Sequence, residues 1–345
     1  SRSFIDPSTG NLVGAFRYPG VIAHVGVLTP GSGDVRRLTD IKGAMLYQVT
    51  SLAYDPGSNT AWYTTDNYAY RDIIQVDIAT GHTREVLHDA RIGGIVFNPA
   101  DHSLWGLRHL NGYVTLVRIP PPYSSWTQVH TFDFGTTPFD LDISPDGSMI
   151  SMSVGEPNGR QTVQVFRLVD LGDGPLQPIA SFSLGQSTPE GFVFAPDGRS
   201  LYGSAYYTGV SNIYRFDLAT QQAALVSNAS TGFFRPIPRA DGSLVVYEYT
   251  GHGFRPGVIQ PTPLQDAGAI HFLGAQIAHD HPVVTTWGVG PPSQVPFDSM
   301  VIDRSHYVPS REMRLGAAYP VIEGYRGLVT GGYHVIFEDP LQFNQ

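Results

Sequence analysis

Short runs of alternating side chains, separated by tight turns, dominate the pattern of apolar and polar positions along the chain. The clearest example covers 191–226, where residues 191–194, 200–206, 212–218 and 223–226 each alternate with the period of two expected of a β-strand. The turn at 196–198 is Pro-Asp-Gly, in which proline presets φ, aspartate accepts a backbone hydrogen bond and glycine takes a positive φ. The pattern predicts four short antiparallel strands within about 40 residues.

The same turn signal recurs along the first 260 residues. Its prolines stand at intervals of 43 to 51 residues, at Pro7, Pro56, Pro99, Pro145 and Pro196. A sixth copy, Ala240-Asp241-Gly242, carries alanine in place of the proline. A period in the forties with four strands per unit is typical of β-propeller blades. We therefore predict an all-β fold, a six-bladed β-propeller of four-stranded antiparallel blades.

The third strand of the unit also repeats, as in Ile73-Ile74-Gln75-Val76-Asp77-Ile78 and Ile213-Tyr214-Arg215-Phe216-Asp217-Leu218, each followed by Ala-Thr. Together with the apolar-x-Pro-Asp-Gly turn, this resembles the WD40-like (PD40) repeat of TolB-like propellers, over roughly residues 4–262. The resemblance implies a propeller of the bacterial cell envelope, extracytoplasmic and either periplasmic or outer-membrane associated, with a protein or envelope partner.

Domain boundaries follow from where the repeat stops. We predict a propeller over 1–262, with blades near 4–45, 46–90, 91–133, 134–185, 186–230 and 231–262, and expect a strand from the opposite chain end to complete the first or last blade. Residues 263–345 form the predicted extension, which completes a blade or leads to a further domain. We interpret 264–310 as extended loop with short strands.

The end of this extension has its own pattern. Within 315–337, larger side chains at Tyr325, Val329, Tyr333, Val335 and Phe337 alternate with smaller or polar ones. This resembles the first strand and turn of outer-membrane β-barrels, and the resemblance implies association with such a barrel. Both chain ends look cut, so we expect further domains of the same protein.

Composition narrows the function classes. The chain of 345 residues has 38 glycines and 27 prolines, which fits many turns, and a net charge of −9, which argues against a nucleic-acid partner. It has no cysteine, so disulfides and thiolate metal sites are excluded. The nucleophile elbow, the phosphate-binding loop and the dinucleotide fingerprint do not occur. No catalytic residue is therefore predicted.

Candidate binding residues precede the predicted inner strands, because propellers bind ligands where these loops converge. The charged ones are Arg91, Asp140, Glu190 and Arg235. They fit either a peptide or sugar site or a structural ring of ion pairs. Tyrosines on the loops between second and third strands fit contact with protein or carbohydrate, or ordinary packing at the blade rims. These tyrosines are Tyr68, Tyr70, Tyr206 and Tyr207.

A metal site is the remaining candidate. His279 and His281 flank Asp280, and imidazole and carboxylate groups bind zinc and similar ions, although a polar loop explains the pair as well. The glycine-rich stretch at 251–255 is interpreted as a turn. We predict a non-catalytic binding or scaffolding propeller with no cofactor. The alternative is a propeller hydrolase or lactonase with a metal in the central channel, held by Asp140, Glu190 and Asn228.

Overall fold

The computed structural model describes residues 2–18, 20–39, 49–66, 71–185, 187–264, 273–325 and 327–342. Within these ranges the chain divides into two compact units, Ser1–Pro291 and Pro292–Gln345. The first unit contains six antiparallel sheets, each made from consecutive strands. The prediction of an all-β, six-bladed propeller is confirmed.

The first three blades contain four strands each. Blade 1 comprises β1 (Phe4–Ile5), β2 (Leu12–Tyr18), β3 (Val21–Leu28) and β4 (Val35–Arg37). Blade 2 comprises β5 (Val49–Asp55), β6 (Thr60–Asp66), β7 (Arg71–Asp77) and β8 (Thr83–Leu87). Blade 3 comprises β9 (Ile92–Phe97), β10 (Leu104–Leu110), β11 (Tyr113–Ile119) and β12 (Thr127–Thr131).

The last three blades follow the same order, with one strand fewer at the end. Blade 4 comprises β13 (Thr137–Ile143), β14 (Met149–Gly155), β15 (Gln161–Arg167) and β16 (Ala180–Phe182). Blade 5 comprises β17 (Glu190–Phe194), β18 (Ser200–Ala205), β19 (Asn212–Asp217) and β20 (Gln222–Leu225). Blade 6 comprises β21 (Phe233–Pro238), β22 (Leu244–Thr250) and β23 (Gly253–Ile259), so among the described residues it has three strands rather than the four predicted.

The repeated turns have the predicted chemistry. Asp146 and Asp197 each accept a hydrogen bond from the backbone N–H two residues on, at 3.0 Å, and Gly147 and Gly198 have φ of 72° and 67°. The same arrangement occurs at Asp241, which accepts from the Ser243 N–H at 3.0 Å. Because the side chain replaces a backbone acceptor, each turn closes within a few residues and brings the two strands into register.

Apolar clusters hold the ring together, and each one spans two neighbouring blades. Trp62 of blade 2, for example, stacks on Phe97 of blade 3 with ring centroids 5.5 Å apart. We predict from the strand pattern that Phe97, Trp105, Phe139, Phe192, Phe194 and Tyr202 belong to the core. Trp105, Phe192 and Phe194 are buried, and the other three are half-buried. Fully burying one such side chain stabilises the fold by about 1.5–3 kcal/mol.

Ring closure uses side chains between blades 6 and 1. Leu12 and Leu28 pack against Val245, and the Tyr247 hydroxyl donates a hydrogen bond to the Ser3 hydroxyl at 2.8 Å. Each sheet consists of consecutive strands, so the expectation that a strand from the opposite chain end completes a blade is wrong for the described residues. Packing of apolar side chains replaces strand exchange at this junction.

After blade 6 the chain becomes partly helical. Helix α1 covers Leu273–Asp280, and a 3₁₀ segment follows at Pro282–Thr286. The interpretation of 264–310 as loop with short strands is correct for the loop at 301–308 but wrong for the strands, because the described part of this stretch has short helical segments instead, three of which begin at a proline: Pro282, Pro292 and Pro309. None of the helices in the described part of the chain is long and apolar enough to cross a membrane.

The second unit is small. It contains two 3₁₀ segments, Pro292–Gln294 and Pro309–Arg311, and the short helix α2 (Phe297–Met300). A β-hairpin then pairs β24 (Arg314–Tyr325) with β25 (Leu328–Glu338). The alternation of side chains in 315–337 therefore corresponds to a hairpin.

Candidate functional site

A β-bulge interrupts the inner strand of each of blades 3 to 6, and its position is equivalent in all four. In β13, for example, the pairing shifts between Phe139–Ser153 and Asp142–Ser151, so Asp140 and Leu141 stand opposite one residue. The first bulge residue has a positive φ in every case. These residues are Gly94 (58°), Asp140 (49°), Gly191 (59°) and Arg235 (49°).

At two of these four positions the residue is not glycine, so the positive φ costs conformational free energy. Glycine adopts a positive φ freely, whereas other residues held in sparsely populated backbone regions cost on the order of 1–3 kcal/mol each, and such residues cluster at functional sites. Asp140 and Arg235 therefore stand out as charged side chains fixed in strained positions, on the inner strands of blades 4 and 6 that flank blade 5. Aspartate tolerates the conformation better than arginine does.

Both residues line the central channel. A cavity of about 130 Å³ is bounded by the inner strands of blades 2 to 6 and by Arg2 from the chain start. Its lining includes Asp140, Gly191 and Arg235, and the rest is mostly backbone and small or apolar side chains. The bulges thus place one carboxylate and one guanidinium at the wall of the same space.

Carboxylates of blade 4 tie its inner strand to the next blade. Asp140 Oδ2 accepts a hydrogen bond from the Gly191 N–H at 2.7 Å, and Asp142 Oδ2 accepts one from the Phe194 N–H at 2.6 Å. The other oxygen of the buried Asp142 carboxylate accepts from the Arg2 guanidinium. Both oxygens of Asp142 therefore accept structural hydrogen bonds, whereas Asp140 accepts the bond from Gly191 through one oxygen.

Glu190 lies next to the bulge of blade 5. Partial burial of its carboxyl and the negative charge of Asp140 raise the pKa of Glu190 above its ordinary value, and the Arg235 guanidinium lowers it in part. The residue as a whole is nevertheless exposed. We refer to Asp140, Glu190 and Arg235 as the channel mouth, since the charges of Asp140 and Arg235 both act on the Glu190 carboxyl.

An exposed aromatic cluster adjoins the channel mouth. Phe234 precedes Arg235 and contacts the rings of Tyr206 and Phe254, at centroid distances of 5.9 and 5.3 Å, and Phe254 contacts Tyr249 at 5.5 Å. Tyr206, Tyr249 and Phe254 are 45%, 49% and 60% exposed. Burial and the negative charge of Glu190 raise the pKa of Tyr206. The strand pairing agrees, because Glu190 stands opposite Ser204, two residues before Tyr206. We call these four residues the aromatic surface.

The structure separates the remaining predicted binding residues. Arg91 lies just before β9, half-buried and with φ of 58°, and does not line the cavity. Tyr207 packs in the core between blades 4 and 5, with its ring 6.4 Å from that of Tyr214. Tyr68 and Tyr70 lie outside the described residues. Of the two tyrosines that lie within the described residues, Tyr206 is the one beside the channel mouth.

Sequence reasoning missed most of the aromatic surface. Phe254 stands in the glycine-rich stretch interpreted as a turn, but it is the second residue of β23 and lies directly opposite Tyr249. Phe234 is adjacent to Arg235 but was not singled out. The available signal was the density of aromatic residues in 233–254, which is visible in the sequence but does not show which rings meet.

The histidine pair lies at the end of helix α1. His279 is in the last turn, 83% exposed, with Nδ1 3.1 Å from the Asp280 carboxylate, and His281 follows the helix. Residues two apart on a helix do not face each other, so this placement does not direct the two imidazoles towards a common metal ion. Among the described residues, three metal-ligating groups within 4.8 Å of one another occur instead at Asp72, Glu85 and His88 on blade 2.

No protein-family model matches the chain, and no curated protein matches its sequence. TolB from Acinetobacter baumannii matches its fold with a TM-score of 0.57 at 13% identity, over 74% of this chain and 63% of that one. An oligogalacturonate lyase in complex with manganese gives 0.54 at 13% identity, over 76% of both chains. A gluconolactonase from Xanthomonas campestris gives 0.52 at 16% identity, over 76% of this chain and 85% of that one.

These comparisons concern the fold. The chain is a six-bladed β-propeller with a charged channel mouth, and its architecture is TolB-like. The propeller fold that the repeats predict is thereby confirmed. Propellers of this architecture include both a TolB and enzymes, so the fold does not identify the function. The function has to be argued from the residues of the site.

Proposed function

We propose that this propeller is a non-catalytic binding module of the bacterial cell envelope, which presents its channel mouth and aromatic surface to a protein partner. The observation that carries the proposal is the continuity of the two features. Tyr206 contacts Phe234, and Phe234 is followed directly by Arg235 of the channel mouth. Tyrosine and arginine are the side chains that most often dominate the energy of protein–protein interfaces.

The size of the cavity also favours a surface contact over an enclosed small-molecule site. The channel cavity has a volume of about 130 Å³. Small-molecule sites typically occupy about 300–1,000 Å³ and bury most of the ligand. A partner segment that lies across the mouth and the exposed rings would bury more surface than a ligand inside the channel.

The proposed location in the envelope has two supports. One is the TolB-like architecture and repeat. The other is the hairpin of the second unit, whose exposed large side chains are apolar along one face: Leu315, Ile322, Val329, Tyr333, Val335 and Phe337. Exposed apolar side chains grouped on one face mark contact with another protein or with lipid. Association with an outer-membrane component, as the tail resemblance implies, is part of this proposal.

Site-specific photo-cross-linking tests the proposal. A benzophenone amino acid replaces Tyr206 or Tyr249 in the full-length protein in its own cells, and Tyr18 serves as the control because it is equally exposed, at 43%, on the first blade. We expect a discrete cross-linked protein from the two aromatic-surface positions and none from Tyr18. Cross-linking that is equal at all three positions contradicts the proposal.

A metal-dependent hydrolase or lactonase is the second candidate. It is favoured by the proximity of the Asp140 and Glu190 carboxylates, since burial and then the negative charge of Asp140 raise the pKa of Glu190. Metal analysis of the purified protein separates the two. Stoichiometric metal that is lost in both Asp140→Asn and Glu190→Gln supports the enzyme, whereas metal content unaffected by these substitutions supports the binding module.

A further inference from the structure

We infer that the channel mouth and the aromatic surface together bind a cationic side chain, a lysine or arginine of the partner, with Glu190 as its counter-ion. The inference rests on the proposed function and specifies the chemistry of the partner at that site. It is carried by the strand pairing that sets Glu190 opposite Ser204, two residues before Tyr206, whose ring belongs to four connected aromatic rings.

The charges at the mouth leave a net negative site. Asp140 and Arg235 are the two groups that act on the Glu190 carboxyl, and their charges are opposite. Two other arginines near this end of the propeller have carboxylates of their own, since Arg2 pairs with Asp142 and Arg255 pairs with Glu248 at 2.7 Å. Glu190 therefore adds a negative charge that these pairings do not neutralise.

Solvation of Glu190 points the same way. Its carboxyl is partly buried and close to Asp140, so its ionised form is less stable than that of a carboxylate in water. A bound ammonium or guanidinium group would replace the missing solvent and offset the repulsion from Asp140. A ligand with a negative charge would increase both penalties.

The aromatic surface supplies the second half of a cation site. The π-faces of tyrosine and phenylalanine attract cations within about 6 Å of the ring centroid. Tyr206, Tyr249 and Phe254 keep about half of their surface exposed, and their contacts with Phe234 and with each other hold the rings in place. The rings would also contact the apolar methylene groups of a lysine or arginine side chain. A carboxylate without neighbouring rings cannot provide this contact.

Matched peptides test the inference on the full 345-residue chain. The probe is the acetylated and amidated peptide Gly-Ser-Arg-Ser-Gly, and its control carries citrulline, which has nearly the shape of arginine without the charge. Binding is measured by calorimetry and by NMR shifts. We expect the arginine peptide to bind at about millimolar concentration and the citrulline peptide at least about ten-fold more weakly.

Substitutions locate the effect. Glu190→Gln is expected to weaken binding of the arginine peptide about ten-fold and to remove its advantage over citrulline, and Phe254→Ala to weaken it several-fold. The matched controls are Glu312→Gln, at an exposed position of the second unit, and Tyr18→Ala. Both are expected to leave binding of the arginine peptide unchanged. Circular dichroism spectra and thermal unfolding of every variant verify folding.

The outcomes separate the inference from the proposed function. Equal binding of the two peptides, loss with the controls, or no binding of the arginine peptide up to about 10 mM overturns the inference. If cross-links still form at Tyr206 and Tyr249 in that case, the protein-binding proposal stands and the partner contacts the site without a cation. If the cross-links are absent as well, both are wrong.

Discussion

Asp140 accepts a hydrogen bond from the backbone N–H of Gly191 at 2.7 Å and so joins the bulges of two neighbouring inner strands. Both residues have positive φ, and both line the channel cavity. The contact explains how a strained residue persists in blade 4, because the carboxylate that the bulge aims at blade 5 finds a donor there. Structure and candidate site therefore depend on the same side chain.

Removing that carboxylate is expected to destabilise the propeller. Hydrogen bonds to a charged group contribute about 1.5–3 kcal/mol, so Asp140→Ala should lower the free energy of unfolding by about 2 kcal/mol, and Asp140→Asn by less, since the amide oxygen still accepts. Denaturant unfolding measures the change. The control Asp170→Ala, at an exposed position, should stay within about 0.5 kcal/mol of the parent protein. Equal effects of Asp140→Ala and Asp170→Ala contradict the assignment.

The bulge of blade 5 requires a glycine on the opposing strand. A Cβ added to Gly203 would lie 2.2 Å from the ring of the buried Phe192, whereas one added to Gly257 meets no atom within 4 Å. Gly203→Ala should therefore destabilise the protein by about 1–3 kcal/mol or more through overpacking, and Gly257→Ala should change little. Thermal unfolding compares the two. A Gly203→Ala protein as stable as Gly257→Ala would mean that Phe192 moves without cost.

Closure between blades 6 and 1 depends partly on one hydroxyl pair. Tyr247→Phe removes the hydrogen bond to Ser3 and should lower the free energy of unfolding by about 1 kcal/mol. Because Ser3→Ala removes the same bond, the double variant should lose little more than either single one, apart from the cost of a hydroxyl left without its partner. Strictly additive losses would show that the two residues do not interact.

The raised pKa of Glu190 predicts the pH dependence of stability. When the folded-state pKa lies above the ordinary value of 4.5, the folded protein binds the proton more tightly than the unfolded chain does. The favourable contribution is thus fully present below pH 4.5 and is lost as pH rises through the folded-state pKa. The free energy of unfolding of Glu190→Gln, relative to that of the parent, should therefore be higher at neutral pH than at pH 4. Denaturant unfolding of both proteins at the two pH values measures this difference.

Asp146 provides the control of opposite sign. Hydrogen bonds from Ser144 and Ser148 hold the pKa of Asp146 below its ordinary value of 3.8. Its contribution is therefore present above pH 3.8 and is lost as pH falls through the folded-state pKa. Asp146→Asn should lose stability relative to the parent as pH rises, the reverse of Glu190→Gln. Profiles that rise with pH for both variants would contradict the assignment of Asp146, and profiles that fall for both would contradict that of Glu190.

The sequence by itself determined the repeating unit, because its signals are local. Alternation in 191–226 and the Asp-Gly turns depend on residues a few positions apart, so strands and turns could be predicted from them. Asp140, Glu190 and Arg235 could be assigned to one end of the channel by their place before or within the inner strands. That those charged residues bind a partner stays a prediction.

The tertiary structure alone decided which side chains meet. Tyr206, Phe234 and Phe254 belong to two blades and three strands or loops, and they come together because neighbouring sheets pack face to face around the channel. The bulges that aim Asp140 and Arg235 into the cavity are shifts of register between paired strands, and no local pattern encodes such a shift. The site is a property of the assembled ring, since its members are distant in the chain and adjacent only in the fold.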